Sequence, residues 1–166
     1  MTYYSFEITK YLVEHGANVN DINGYNSNTA LIQACEMENL DTVKYLVENG
    51  ANVNMDNDVG LTPLLVACKK CNLDMVKYLT EHDADVKMKD INENTVLTIT
   101  ISKYNEEPEL LGPIMRIIDR LIEYGADIYK RDKYGNTFLT ILHKNGIKDY
   151  RFIKHCIEYD EKTNTT

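Results

Sequence analysis

The sequence predicts an all-α solenoid of stacked helix pairs, on three observations. A short motif recurs as Asn28-Thr-Ala-Leu31, Leu61-Thr-Pro-Leu64, Asn94-Thr-Val-Leu97 and Asn136-Thr-Phe-Leu139, with its threonines 33, 33 and 42 residues apart. A second motif runs in phase with it: Tyr11-Leu-Val-Glu-His-Gly-Ala-Asn18, Tyr45-Leu-Val-Glu-Asn-Gly-Ala-Asn52, Tyr78-Leu-Thr-Glu-His-Asp-Ala-Asp85 and Leu121-Ile-Glu-Tyr-Gly-Ala-Asp127. Each threonine precedes an apolar run, as a helix N-cap does, and Gly16, Gly50 and Gly125 follow apolar-periodic segments, as left-handed terminators do. A fixed period in this range marks a stacked repeat array. Such arrays usually present a long surface to another molecule.

Residues 3–14 read as one helix, a half-repeat inside a partial unit of about 1–20. The unit 21–54 carries helices near 29–37 and 41–49. The unit 55–87 carries helices near 62–70 and 74–82. Pro63 suits the first turn of the former, where its missing N–H is not needed. In that unit Asp83 replaces the terminating glycine, so it must enter the left-handed region at some cost or end its helix differently. The unit 88–129 starts a helix at 95–103 and ends with another near 113–124. Its nine extra residues fall in 104–113, where Pro108, Gly112 and Pro113 break helix. The unit 130–158 carries helices at 137–144 and roughly 149–158, and a polar tail, 159–166, follows.

Leu64, Leu97 and Leu139 sit one turn into the inner helices, on the face expected to stack between units. Terminal units need a polar outer face. Lys154, His155 and Glu158 supply one, with Phe152, Ile153, Cys156 and Ile157 turned inward. At the other end Tyr3, Tyr4 and Phe6 make a sticky edge.

The bulk numbers fit one soluble domain spanning 1–166. A 43% apolar content is enough for a core, and no window approaches the length of a membrane span. The start, Met1-Thr-Tyr-Tyr-Ser-Phe-Glu7, lacks the basic and apolar blocks of a signal peptide. The expected location is cytoplasmic, in a host's cytoplasm if the protein is injected or virally made. The expected state is a monomer.

These motifs resemble the ankyrin repeat over about residues 5–158. In that family each unit is a β-hairpin followed by two antiparallel helices. Thr62-Pro63-Leu64 matches the element that opens the inner helix, and Gly50-Ala51-Asn52 the element that closes the outer one. The histidine that often follows Thr-Pro-Leu is replaced by Leu65, and its counterparts are Ile32, Thr98 and Thr140. The resemblance implies about four full repeats after the N-terminal half-repeat helix, a concave protein-binding groove and no catalysis. It also implies that Asn20 and Asn54 match the hairpin asparagine accepted by an oxygen-dependent asparaginyl hydroxylase, whereas Lys87 and Tyr129 replace it later.

Charge is distributed unevenly. Residues 1–60 carry two Lys/Arg against nine Asp/Glu, a net of −7, and residues 61–166 carry 16 against 17, a net of −1. In ankyrin geometry the hairpin tips and the ends of the inner helices line the groove. Those positions hold Glu36 and Asp56 early, then Lys69, Lys70, Lys89, Ile91, Lys103, Arg131, Lys133 and Tyr134. The groove is expected to be acidic at its N-terminal end and basic beyond, suited to a partner with an acidic surface or segment. Exposed charges that merely solvate the surface are the bland alternative. A net charge of −8 argues against a phosphate-backbone binder, so nucleic acid is not expected. The insertion, at a helix–helix turn, reads as a tolerated loop or as a second epitope through Glu106, Glu107, Glu109 and Leu110, outside the groove.

The residues offer little for chemistry. Cys68-Lys-Lys-Cys71 lacks the second pair or the histidines of a zinc site. Cys35 and Cys68 recur 33 apart as small buried residues would. Asp56-Asn-Asp58-Val-Gly60 lacks the glutamate of a calcium loop, having Val66 there. His15 and His82 recur just before the terminator, where a histidine can meet the helix C-terminus. No cofactor or metal is expected. The sequence therefore points to a non-enzymatic protein-binding module, as adaptor, inhibitor or pathogen effector. The alternative is a metal- or redox-responsive module using Cys68 and Cys71.

Overall fold

The structure, a computed structural model, describes residues 2–23, 27–148 and 150–163, with side chains described over 6–22, 27–148 and 152–158. In chain order it comprises α1 (Thr2–Glu14), a hairpin of β1 (Ile22–Asn23) and β2 (Asn28–Thr29), then α2 (Ala30–Glu36), α3 (Leu40–Glu48), α4 (Pro63–Lys69), α5 (Leu73–Glu81), α6 (Val96–Ser102), α7 (Leu111–Glu123), α8 (Phe138–Lys144) and α9 (Tyr150–Thr163). The helices form two files. The inner file runs α2, α4, α6, α8 and the outer file α1, α3, α5, α7, α9, each helix packing on the next of its file.

The threonines act as the sequence predicts. Thr29, Thr62, Thr95 and Thr137 hold extended backbone, and each hydroxyl accepts the N–H three residues on, at 3.1–3.2 Å. Each such cap is worth about 1 kcal/mol. The helices they open have only seven residues each, too few to persist alone in water. Stacking holds them: all six residues from Pro63 to Cys68 are buried. The outer helices α3 and α5 are capped by Asn39 and Asn72, whose carboxamides accept from Thr42 and Met75 at 3.1 Å.

The period is written into the backbone as well. Left-handed residues recur at three places. The hairpin tips have Ser27, Gly60, Glu93 and Gly135. The turns between helices have Glu38, Cys71 and Gly146. The ends of the outer helices have Gly16, Gly50, Asp83 and Gly125. Asp83 thus takes the glycine conformation, at φ 63°, instead of ending its helix another way. His15 and His82 each place Nδ1 2.7 Å from the carbonyl oxygen of the tyrosine four residues earlier, closing the outer helix.

Four expectations need correction. Leu64 and Leu97 are buried, but Leu139 is only half-buried, because no further inner helix packs beyond α8 among the described residues. The insertion does not break helix throughout. Lys103–Asn105 and Pro108–Leu110 form single 3-10 turns, and Gly112 and Pro113 lie in the first turn of α7, whose backbone N–H groups need no intrahelical acceptor. The last helix runs on to Thr163, past the expected end at 158, through good helix formers such as Glu161 and Lys162. At the N-terminal edge Phe6 packs edge-on against Tyr45, with ring centroids 5.7 Å apart, which covers part of the expected sticky surface. The side chains of Tyr3 and Tyr4 lie outside the described residues. Phe152 and Cys156 are buried while Lys154, His155 and Glu158 are exposed, as expected for a C-terminal cap.

Candidate functional site

The three later hairpins are each built around one acceptor at the base. The Asn57 side-chain oxygen accepts from Val59 and Leu61 N–H, that of Asp90 from Asn92 and Asn94, and that of Asp132 from Tyr134 and Asn136, all at 2.8–3.1 Å. Burial opposes charge at Asp132, but the Asn136 side chain and the N–H groups of Asn136 and Tyr134 outweigh it and hold its carboxyl below the usual range.

The tips are chained to one another. The Ser27 hydroxyl donates to the Asp58 carboxylate at 2.7 Å, Ile91 N–H donates to the Val59 carbonyl at 3.2 Å, and the Lys133 ammonium donates to the Asn92 side-chain oxygen. The result is a tied row that projects apolar side chains: Val59, Ile91 and Tyr134 are 37%, 65% and 75% exposed. The Lys133 ammonium also lies 5.1 Å from the centre of the Tyr134 ring.

Between this row and the ends of α4 and α6 lies a cleft of about 500 Å³, lined by Glu36, Val59, Leu61, Lys69, Lys70, Asn92, Lys103 and Glu106 among others. The structure brings Lys69, Lys70 and Lys103 together in one cleft. It also places part of the insertion, Glu106, in the same cleft, whereas the sequence put that loop outside the groove. The reason is an ion pair. The Lys103 ammonium meets Glu106 at 3.0 Å and Glu107 at 2.8 Å, which folds the insertion back onto the inner helix it follows. These two carboxylates, Glu107 first, hold the Lys103 ammonium well above its ordinary range.

Most of the predicted basic residues are already engaged. Lys70 pairs with Glu36 at 3.2 Å across two helix pairs, Lys89 pairs with Glu93 at 3.1 Å, and Arg131 donates to the Gly135 carbonyl at 2.6 Å. Lys69 is exposed and makes no ion pair among the described residues. Glu36 of the early acidic end thus neutralises Lys70 of the later stretch, while Lys89 and Lys103 are neutralised by carboxylates of their own unit. Sequence position alone does not reveal the Lys70–Glu36 pair, because it joins different units.

The cysteines sit apart from this chemistry. Cys35, Cys68 and Cys156 are buried, and burial pushes the Cys68 and Cys156 thiols up to about 12. Cys71 is half-buried and holds the left-handed turn before α5. No group of three His, Cys, Asp or Glu side chains fit to hold a metal occurs among the described residues.

Asn20 and Asn54 occupy equivalent places that the sequence did not resolve. The Asn20 amide donates to the Gly50 carbonyl at 3.1 Å, and its oxygen accepts from Asn52 N–H at 2.7 Å. Asn54 repeats this one unit on, donating to Asp83 at 2.9 Å and accepting from Asp85 N–H at 2.7 Å. Both side chains are rungs that staple consecutive units.

A family model described as ankyrin repeats (3 copies) matches residues 1–90 and 49–132, which together span 132 of the 166 residues. A search of curated proteins finds no match.

Proposed function

Because the chain belongs to the ankyrin repeat family, we propose that it is a non-catalytic module that holds a partner protein in the groove between its hairpin tips and inner helices. Ankyrin repeats are generally protein–protein interaction modules, and the family is typically non-enzymatic. No helix among the described residues is long and apolar enough to cross a membrane.

The observation that carries the reading is the exposed row Val59, Ile91 and Tyr134, of which Val59 lines the cleft. Side chains on a row already tied together lose little freedom on binding, which favours affinity. Tyr134 and Ile91 are the anchors, and Lys69, Lys70, Lys103 and Lys133 steer an acidic segment toward them, with Lys89 and Arg131 contributing less because each is bonded within its own hairpin. A partner carboxylate reaching Lys103 competes with Glu106 and Glu107, so the insertion sets how acidic the partner must be. Holding a partner without chemistry suits an adaptor, a competitive inhibitor or a pathogen effector. An asparaginyl hydroxylase acting on Asn20 or Asn54 must first draw the amide from two hydrogen bonds, so modification would proceed on an opened hairpin.

Affinity capture with wild type, with Ile91→Ala/Tyr134→Ala and with Ile8→Ala/Leu12→Ala tests the placement. The tip variant should lose the retained partner and the α1 variant should keep it. The reverse pattern would move the binding face to α1, where Ile8 and Leu12 are also exposed.

A further inference from the structure

The rung series breaks at its third position. Asn20 bridges Gly50 and Asn52, and Asn54 bridges Asp83 and Asp85. The equivalent residue in the next unit is Lys87, and the backbone groups it would bridge are the Gly125 carbonyl and the Asp127 N–H. Lys87 is exposed and makes no such bond. Neither the Gly125 carbonyl nor the Asp127 N–H has a hydrogen-bond partner among the described residues. A second cleft of about 480 Å³ opens at this junction, lined by Lys87, Gly125, Ala126, Asp127 and Tyr129 together with the start of α6. It shares no lining residue with the cleft under the hairpin tips. Missing rung and open space coincide.

We propose that this junction is a second recognition site, and that it takes the side-chain carboxamide of an asparagine presented by an extended segment of a partner protein. The chain itself is the template. Twice, an Asn amide donates to the carbonyl at the end of an outer helix and accepts the N–H two residues on. At the third junction the same carbonyl and N–H are in place and the carboxamide is not. One amide group supplies both the donor and the acceptor, which a carboxylate or an ammonium cannot do. Val86, which stands where Val19 and Val53 precede the chain's own rungs, is already buried beside this cleft, so the carboxamide is the group that the junction lacks. Filling the site also joins the units on either side, so an occupied rung stiffens the junction.

The test uses the full chain and two peptides. One is acetyl-Ala-Asn-Val-Asn-amide, which copies residues 51–54, and the other carries Asp in place of the last Asn. The readout is the backbone amide resonance of Asp127, with those of Asn52 and Asp85 as filled-rung references. The Asn peptide should shift Asp127 saturably and leave the references still. Lys87→Asn, which supplies the rung internally, should slow hydrogen exchange at Asp127 and weaken peptide binding about tenfold or more, the worth of a hydrogen-bond pair. Equal or tighter binding of the Asp peptide would show that Lys87 charge is the recognised feature and overturn the proposal. So would peptide binding that survives Lys87→Asn once the exchange data show the rung has formed. Self-association of wild type that Lys87→Asn abolishes would make a second copy of this chain the occupant, and would overturn the assignment to a partner segment.

Discussion

Asp83, Ser27 and Glu93 hold backbone angles that glycine holds at equivalent places in other units. Each is a small local cost, and each is testable alone. Asp83→Gly should raise the melting temperature by an amount worth about 1 kcal/mol, since it removes a left-handed Cβ from a position whose carbonyl still accepts from Asn54. An unchanged or lower melting temperature would mean the Asp83 side chain contributes more than its strain. Gly60 is the converse case. A Cβ there would lie 2.9 Å from Ile91 N and 3.0 Å from the Asp90 Cα, so Gly60→Ala should destabilise by about 1–3 kcal/mol and disturb the tip row. Asp132 contributes a pH dependence of its own. Its folded pKa lies below the unfolded one, so its contribution is complete above about pH 4 and is lost as pH falls through the folded value. Asp132→Asn should therefore flatten the acid limb of the stability–pH curve, which urea titrations between neutral and acid pH would reveal. At this scale the sequence was legible where a backbone rule applied, as at Thr29, Pro63 and Asp83. It was silent where partners lie about 30 residues away, as for Asn20 with Gly50 or Lys70 with Glu36.

The inner helices are the elements whose stability is borrowed. Leu97→Ala, at a fully buried position of α6, should cost about 2–5 kcal/mol in chemical denaturation. Leu139→Ala on α8 should cost less, because that side chain is only half-buried. Shortening the insertion between Lys103 and Leu111 should also cost less than Leu97→Ala, since loop length enters only logarithmically. Unfolding by the loop deletion, with Leu97→Ala tolerated, would mean the core is misplaced. The starts of the inner helices were legible in the sequence because one threonine makes each cap. The fold of the insertion was not, because Pro108, Gly112 and Pro113 are read as breakers until their place in a first turn is known. Its return toward the groove depends on Lys103 choosing Glu106 and Glu107 over solvent. Alkylation under native conditions adds a check on the cysteines: Cys71 should react, and Cys35, Cys68 and Cys156 should react only on unfolding. Native reactivity at Cys68 would revive the redox reading.

At the scale of the molecule, the two files of helices hold a tied row of hairpin tips over a cleft whose lysines are largely neutralised from within. The period made the array legible from sequence alone, and the family match agrees with it. The working surface was only half legible. The positions of Lys69, Lys70 and Lys103 follow from the repeat, but their counter-charges do not. The central claim is that this groove binds and that its charges steer. The most direct test is stopped-flow association of the captured partner at two ionic strengths. It compares wild type with Lys69→Glu/Lys70→Glu/Lys103→Glu/Lys133→Glu and with Glu106→Gln/Glu107→Gln. The lysine variant should associate more slowly and with a flatter salt dependence, and the glutamine variant faster than wild type, because exposed charges act chiefly on encounter. Association rates and salt slopes that match wild type in both variants would contradict the account and place the partner elsewhere on the chain.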